Sequence, residues 1–220
     1  MISFGHPTVF SVVGVPVTTT VVTTWGLLAL LTVVSVVAGK HLRQQPTGWQ
    51  AVVEWALTSI RELLDEMTGN GQPYVALVAS IGVFVLVANL SSILPGVEAP
   101  TADLNTPVAL AIVVFFSVHY FGIRERGFWR YLASFARPNP LLLPINLLTN
   151  LTRSISLSIR LFGNMLSHQV IVAVLLLILP LVVPAVLEVF GLAIGVLQAY
   201  IFMILTAVYI GGAVRGEGGV

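Results

Sequence analysis

The chain has 220 residues, of which 57% are hydrophobic and only 9% charged, against about 25% charged in a soluble domain. Too few charges exist to cover a soluble globule, and a chain this apolar is not disordered; with a mean hydropathy of +0.98 the composition implies an integral membrane protein. A net charge of +1 leaves no basic surface for nucleic acid, and the lack of Cys removes disulfides, thiolate catalysis and Cys-ligated metals.

In chain order, the first Lys or Arg is Lys40. The N-terminus therefore lacks the charged segment that opens a secretory signal, and a retained N-terminus is expected. Stretches 1–39, 67–97, 104–123, 161–187 and 189–214 hold no Asp, Glu, Lys or Arg. A membrane helix needs about 20 apolar residues, which predicts an all-α membrane domain with spans at 20–39, 74–94, 106–123, 145–182 and 185–213. Lys40 and Arg43 follow the first span. Arg124, Arg126, Arg130 and Arg137 follow the third, and Arg215 the fifth. Residues 1–19, 95–105 and 183–184, at the opposite ends, hold no Lys or Arg. Positive charge collects on the cytoplasmic side, so the N-terminus, 1–19, is expected outside and the C-terminus in the cytoplasm.

Residues 48–69 place Val52, Trp55, Ala56, Ile60, Leu63 and Leu64 at helical spacing, with Glu54, Arg61, Glu62, Asp65 and Glu66 between them. That is an amphipathic helix for the cytoplasmic interface. Phe128–Phe135 reads as a shorter aromatic, basic interfacial segment. The last two spans are too long. At 1.5 Å per residue they measure about 57 and 43 Å, against about 30 Å of hydrocarbon, so they must tilt or bend. Pro180 and Pro184 bracket the turn between them. Two long, tilted, antiparallel helices can curve around a cylindrical partner.

Arg160 sits among Leu157, Ile159, Leu161 and Phe162, near the middle of the fourth span. A mid-membrane Arg costs at least about 2.5–3.5 kcal/mol, so it marks function unless it is half of a buried ion pair, for which Glu188 is the candidate acid. Asn146, Asn150, Arg153, Ser156, Arg160, Asn164, Ser167 and His168 form one helical stripe around it. Such a stripe must face water or another helix. Each residue alone reads as a local hydrogen-bonding group; together they suggest an aqueous ion path. Gln198, at the middle of the last span, is expected to pack near Arg160. Gly191 and Gly195 permit close helix approach, and His119 reads as interfacial.

SISLSIRLFGNM at 154–165 followed by LQAYIF at 197–202, with NLSSILPG at 89–96 and PTADLNTP at 100–107 in the same order, resembles subunit a of the F-type ATP synthases. The likeness covers about residues 50–214. The short N-terminus, GVEAPTADL at 96–104 and VHYFGIRERG at 118–127 resemble the N-ATPase subgroup. The resemblance implies a non-catalytic stator subunit in a bacterial inner membrane, beside a ring of c subunits that carry ions on carboxylates. It implies peripheral-stalk b subunits as further partners, the F1 sector indirectly, membrane lipid around it and no cofactor. Two aqueous half-channels would reach the ring from opposite sides. Arg160 would be the essential arginine between them, with Asn164 and Gln198 as its polar neighbours.

On this reading Asn146, Asn150 and Arg153 line the inner half-channel, and His168, Gln169 and Glu188 the outer one. The family often has Glu at the positions of Asn146 and Asn150, Pro at Ser154, Glu or His at Gln169, and His or Glu at Gly191. These departures fall on the titratable lining and leave the arginine intact. The coupling ion, H⁺ or Na⁺, is not readable from the chain. Two other readings stay open at this point. An independent channel or transporter would also use a polar stripe and a mid-membrane Arg. An intramembrane enzyme would need a serine constellation or ligand cluster, and four scattered His give no zinc motif; no Walker-type phosphate loop is present either.

Overall fold

The structure is a computed structural model that describes residues 8–12, 15–40, 48–93, 99–135, 139, 141, 143–178 and 182–216. Arg43, Arg137, Pro180 and residues 94–98, all used above, lie outside the described residues. The architecture is all-α apart from one short antiparallel hairpin, β1 (Thr8–Val12) and β2 (Val15–Thr18), within the segment expected to lie outside. Among the described residues seven α-helices follow: α1 (Thr19–Lys40), α2 (Trp49–Thr68), α3 (Gln72–Leu90), α4 (Asn105–Arg126), α5 (Phe128–Phe135), α6 (Leu143–Ile178) and α7 (Val182–Arg215). Five of them, α1, α3, α4, α6 and α7, are long and apolar enough to cross a membrane; the protein is a multi-pass membrane protein. Val182, expected at the end of the fourth span, opens α7 instead. Pro180 in that stretch cannot donate the next helical hydrogen bond.

α7 is the hub, packed by α2, α3, α4 and α6. Its Ala199, Phe202, Ala207, Ile210 and Ala213 are buried in one core with Val78, Val85 and Ala88 of α3 and Val114 and Val118 of α4. α1 is peripheral: Thr20 is its one buried residue, while Trp25, Leu28, Leu30 and Val33 are exposed. This pattern suits a helix bathed in lipid on most sides. α2 is split along its length. Ile60 and Leu64 pack inward, whereas Trp49, Val52, Val53 and Trp55 stay exposed, which fits a helix whose first turns rest in the membrane interface.

Polar anchors fix the ends of these helices that are expected to lie outside. Thr20 Oγ1 donates to Asp103 Oδ2 at 2.6 Å, tying α1 to the start of α4. Thr101 Oγ1 donates to Asn89 Oδ1 at 2.7 Å, and Asn89 Nδ2 donates to the Gly195 carbonyl at 2.9 Å. A Cβ on Gly195 would lie 3.1 Å from Asn89 Cβ, so glycine allows this approach. Ser158 Oγ of α6 donates to the Pro107 carbonyl of α4 at 3.2 Å.

These contacts set the pose of the α6–α7 hairpin. Past these contacts about 20 Å of α7 extends beyond Gly195 and about 30 Å of α6 beyond Ser158. Val170, Ile171, Val174, Leu177, Val186, Val189 and Phe190 in this overhang are exposed and apolar. They stay in hydrocarbon only if the hairpin lies obliquely across the bilayer.

Candidate functional site

α6 and α7 run antiparallel, and their contacts make three polar levels. At the end expected to be cytoplasmic, here called inner, the Arg153 guanidinium stands over the Tyr209 ring, 5.9 Å from its centroid. In the middle, Asn164 Nδ2 donates to Gln198 Oε1 at 2.8 Å. Toward the outer tip, His168 Nε2 lies 3.6 Å from Glu188 Oε2, an ion-pair distance rather than a hydrogen bond.

The inner level opens into a cavity of about 450 Å³, lined by Met67, Tyr131, Asn150, Arg153, Tyr209 and Arg215 among others. Arg215 donates to the Glu66 carbonyl, in the last turn of α2, where a cation meets the negative end of the helix dipole. Tyr131 on α5 is buried, and this burial pushes its phenol up to about 12 from 10.0, opposed by Arg126. A second cavity of about 430 Å³ lies along α6, bordered by Thr149, Thr152, Arg153, Ser156 and Tyr209. Arg153 and Tyr209 thus border both, and Ser156 is one turn from Arg160.

Asn146 does not join this lining. It is 8% exposed, and its Nδ2 donates to the Phe135 carbonyl at 2.9 Å, so it holds α5 against α6. Asn150 does join, half-buried, with its amide on the Asn146 carbonyl at 3.0 Å.

Arg160 is exposed on the outer face of α6, flanked by exposed Ile155 and Ile159. No hydrogen bond or ion pair joins it to a described residue. Gln198, 2% exposed, pairs with Asn164 rather than with Arg160, and its Nε2 is a buried donor without a partner among the described residues. Glu188 pairs with His168, about two turns beyond the arginine, so the buried Arg–Glu pair weighed from the sequence does not form.

At the outer level the imidazole fills the space over Gly191. A Cβ there would lie 2.2 Å from His168 Cε1. The His168 side chain is 14% exposed and that of Glu188 44%. Gln169 is half-buried beside them and makes no hydrogen bond to either. Among the described residues no group of three His, Cys, Asp or Glu gathers to hold a metal.

A family model described as ATP synthase A chain matches residues 21–211. The chain belongs to the ATP synthase A chain family. It is similar to ATP synthase subunit a 2 of Bradyrhizobium sp. (strain BTAi1), 44% identical over 206 residues, covering 93% of this chain and 92% of the relative. It is likewise similar to ATP synthase subunit a of Nitrosospira multiformis, 44% identical over 203 residues, with 90% and 80% covered. Subunit a 2 of Pelobacter propionicus is 40% identical over 198 residues, with 90% and 87% covered. Family membership makes this chain a membrane-sector subunit of an F-type ATP synthase, a complex of ATP synthesis and ion transport.

Tyr209, Tyr131 and Arg215 are site residues that sequence reasoning passed over. Tyr209 carried a usable signal, since it lies three turns after Gln198 on the same face of α7. The placement of Tyr131 and Arg215 on one cavity depends on α5 and α2, which no periodicity within α6 or α7 reveals.

Proposed function

We propose that this chain is the ion-access stator of the synthase, with Arg160 as the fixed charge between two half-channels. The observation that carries the reading is an arginine on an exposed helix face, flanked by exposed isoleucines, with no partner among the described residues. Such a charge is tolerated at membrane depth only if a partner supplies water, a counter-charge or both. A ring of c subunits with ion-carrying carboxylates meets that need. Each carboxylate must be neutral where it faces lipid, and the opposite charge of Arg160 favours its ionised form. It therefore releases its ion on one side of Arg160 and reloads on the other, and the same fixed charge opposes a free cation crossing directly.

The inner half-channel is the cavity at Asn150, Arg153 and Tyr209, continued along Ser156, with Asn146 as a strut below it. The outer half-channel is built on His168, Gln169 and Glu188, with Asn164 between the two levels. The basic ends of α4 and α7 face the cytoplasm, the N-terminus lies outside, and the membrane is the bacterial inner membrane. Peripheral-stalk b subunits and, through them, the F1 sector complete the assembly. The subunit performs no ATP chemistry itself.

The test is Arg160→Ala in the assembled complex. ATP-driven ion pumping into membrane vesicles is expected to vanish while the complex still assembles. Normal pumping by that variant would overturn the assignment. A channel or transporter reading predicts instead that the purified chain alone conducts ions in vesicles.

A further inference from the structure

His119 of α4 lies beside the inner cavity and has no part in the route described above. Its Nδ1 is 2.7 Å from the Phe115 carbonyl. A carbonyl only accepts, so Nδ1 carries the hydrogen, and a neutral ring then presents the Nε2 lone pair. That Nε2 is buried and meets no hydrogen-bond partner among the described residues. Aromatic rings wall the imidazole: Phe115 at 4.2 Å between centroids, Phe135 stacked at 6.4 Å and Tyr131 edge-on at 5.9 Å. On one side they leave a pocket of about 10 Å³, bounded by His119, Asn150, Arg153, Ser154 and Tyr209. This is close to the least space that one water occupies. Three of those residues, Asn150, Arg153 and Tyr209, also line the large inner cavity.

A histidine kept only for packing would have both ring nitrogens satisfied or an apolar surround on the free one. Here the free nitrogen is a buried acceptor, costly to leave unpaired, beside a small pocket that shares Asn150, Arg153 and Tyr209 with the larger cavity. We propose that His119 is the proton-loading group of the inner half-channel. This inference rests on reading that cavity as the inner access path. Nε2 takes a proton from cavity water and becomes an imidazolium. It returns the same proton to water beside Arg153 and Tyr209, on the way to Arg160. The charged and titratable groups facing it are Arg153 on α6, Tyr209 on α7 and Tyr131 on α5. Of these groups only the imidazole combines a free ring lone pair that accepts a proton with the ability to hand it on. The ion handled on this side is therefore H⁺.

The experiment measures ATP-driven pumping in inverted vesicles carrying the complete complex, as a function of pH on the cytoplasmic side. Wild-type pumping is expected to fall as cytoplasmic pH rises, because loading Nε2 consumes a proton from that side. His119→Gln keeps an amide donor for the Phe115 carbonyl but cannot titrate. It should flatten that dependence and lower the acid-side rate about tenfold. That is less than the 100-fold or more typical of a positioned proton-transfer group, since cavity water offers a parallel route. An unmoved pH profile and rate in His119→Gln, or pumping that follows Na⁺ and ignores pH, would overturn the proposal. If the variant does not assemble, the wild-type profile decides, and a pumping rate that does not fall with rising cytoplasmic pH sinks it. Cysteines at Asn150 and Gly212, probed with a water-soluble thiol reagent from the cytoplasm, separate the two readings. Reactive cysteines with an unmoved profile reject only the loading role, while unreactive ones reject the inner access path itself.

Discussion

The two ends of the α6–α7 hairpin handle polarity in different ways. At the inner end, a cavity of about 450 Å³ is held open by side chains from four helices, and its cations are secured at helix ends or over rings. At the outer end, a single acid–base pair, His168 and Glu188, is packed into the space left by Gly191. Arg160 lies about seven or eight residues from either level, roughly 10–12 Å along the helix. The contrast teaches that one stripe of polar residues need not mean one continuous channel. It is a roomy cavity on one side of the arginine and a close-packed titratable pair on the other.

The arginine between them offers the sharpest break. Arg160→Lys should reduce coupled pumping nearly as far as removal of the side chain, because an ammonium lacks the planar, multi-donor guanidinium. ATP-driven pumping in vesicles measures it. A lysine variant pumping at the wild-type rate would mean that any fixed positive charge suffices, and both ends would then be read as acting on charge alone.

Glycine substitution tests packed against open. Gly191→Ala places a methyl against the His168 ring and should cost about 1–3 kcal/mol, as overpacking does, with loss of the His168–Glu188 pair. Gly212→Ala on the inner cavity meets nothing within 4 Å and should be nearly neutral. Thermal stability of the complex gives the first reading, and ion flux the second. Equal effects would erase the proposed contrast. Loss of function in Gly191→Ala that is relieved by adding His168→Ala would sharpen it.

A smaller effect is expected at the outer pair itself. Glu188→Gln and His168→Ala should slow ion entry severalfold, more so at low external ion concentration, without abolishing it, since water or the remaining polar group substitutes. Flux plotted against external ion concentration for both variants and wild type is the measurement. Three superimposed curves, with assembly confirmed, would remove the pair from the path.

The smallest expected change concerns the anchor that holds this arrangement. Thr101→Val removes one donor to Asn89 and should cost about 1 kcal/mol, the net worth of a typical hydrogen bond, read as a lower unfolding temperature. Flux per assembled complex should stay close to wild type. A large flux defect with unchanged stability would give Asn89 and Gly195 a part in transport rather than in packing.

Much of this protein could be read from its residues, because a bilayer penalises every exposed charge and backbone group. Charge-free stretches therefore mark the membrane helices, basic residues their ends, and a lone Arg160 in an apolar run the candidate centre. Asn150, Arg153, Asn164 and His168 were legible for a related reason, since spacing of three or four residues puts side chains on one helix face whatever else surrounds them. Helical periodicity says nothing about what lies opposite. Asn146 shares the stripe, yet α5 lies against it and makes it a strut. Gln198 lies level with Asn164 because Asn89 holds α7 at Gly195, and Glu188 meets His168 because Gly191 leaves room for the ring. Tyr131 of α5 and Tyr209 and Arg215 of α7 meet on one cavity. Those outcomes were decided by tertiary structure, since a side chain's partner depends on the register and separation of two helices, which are set by packing contacts far away in the chain.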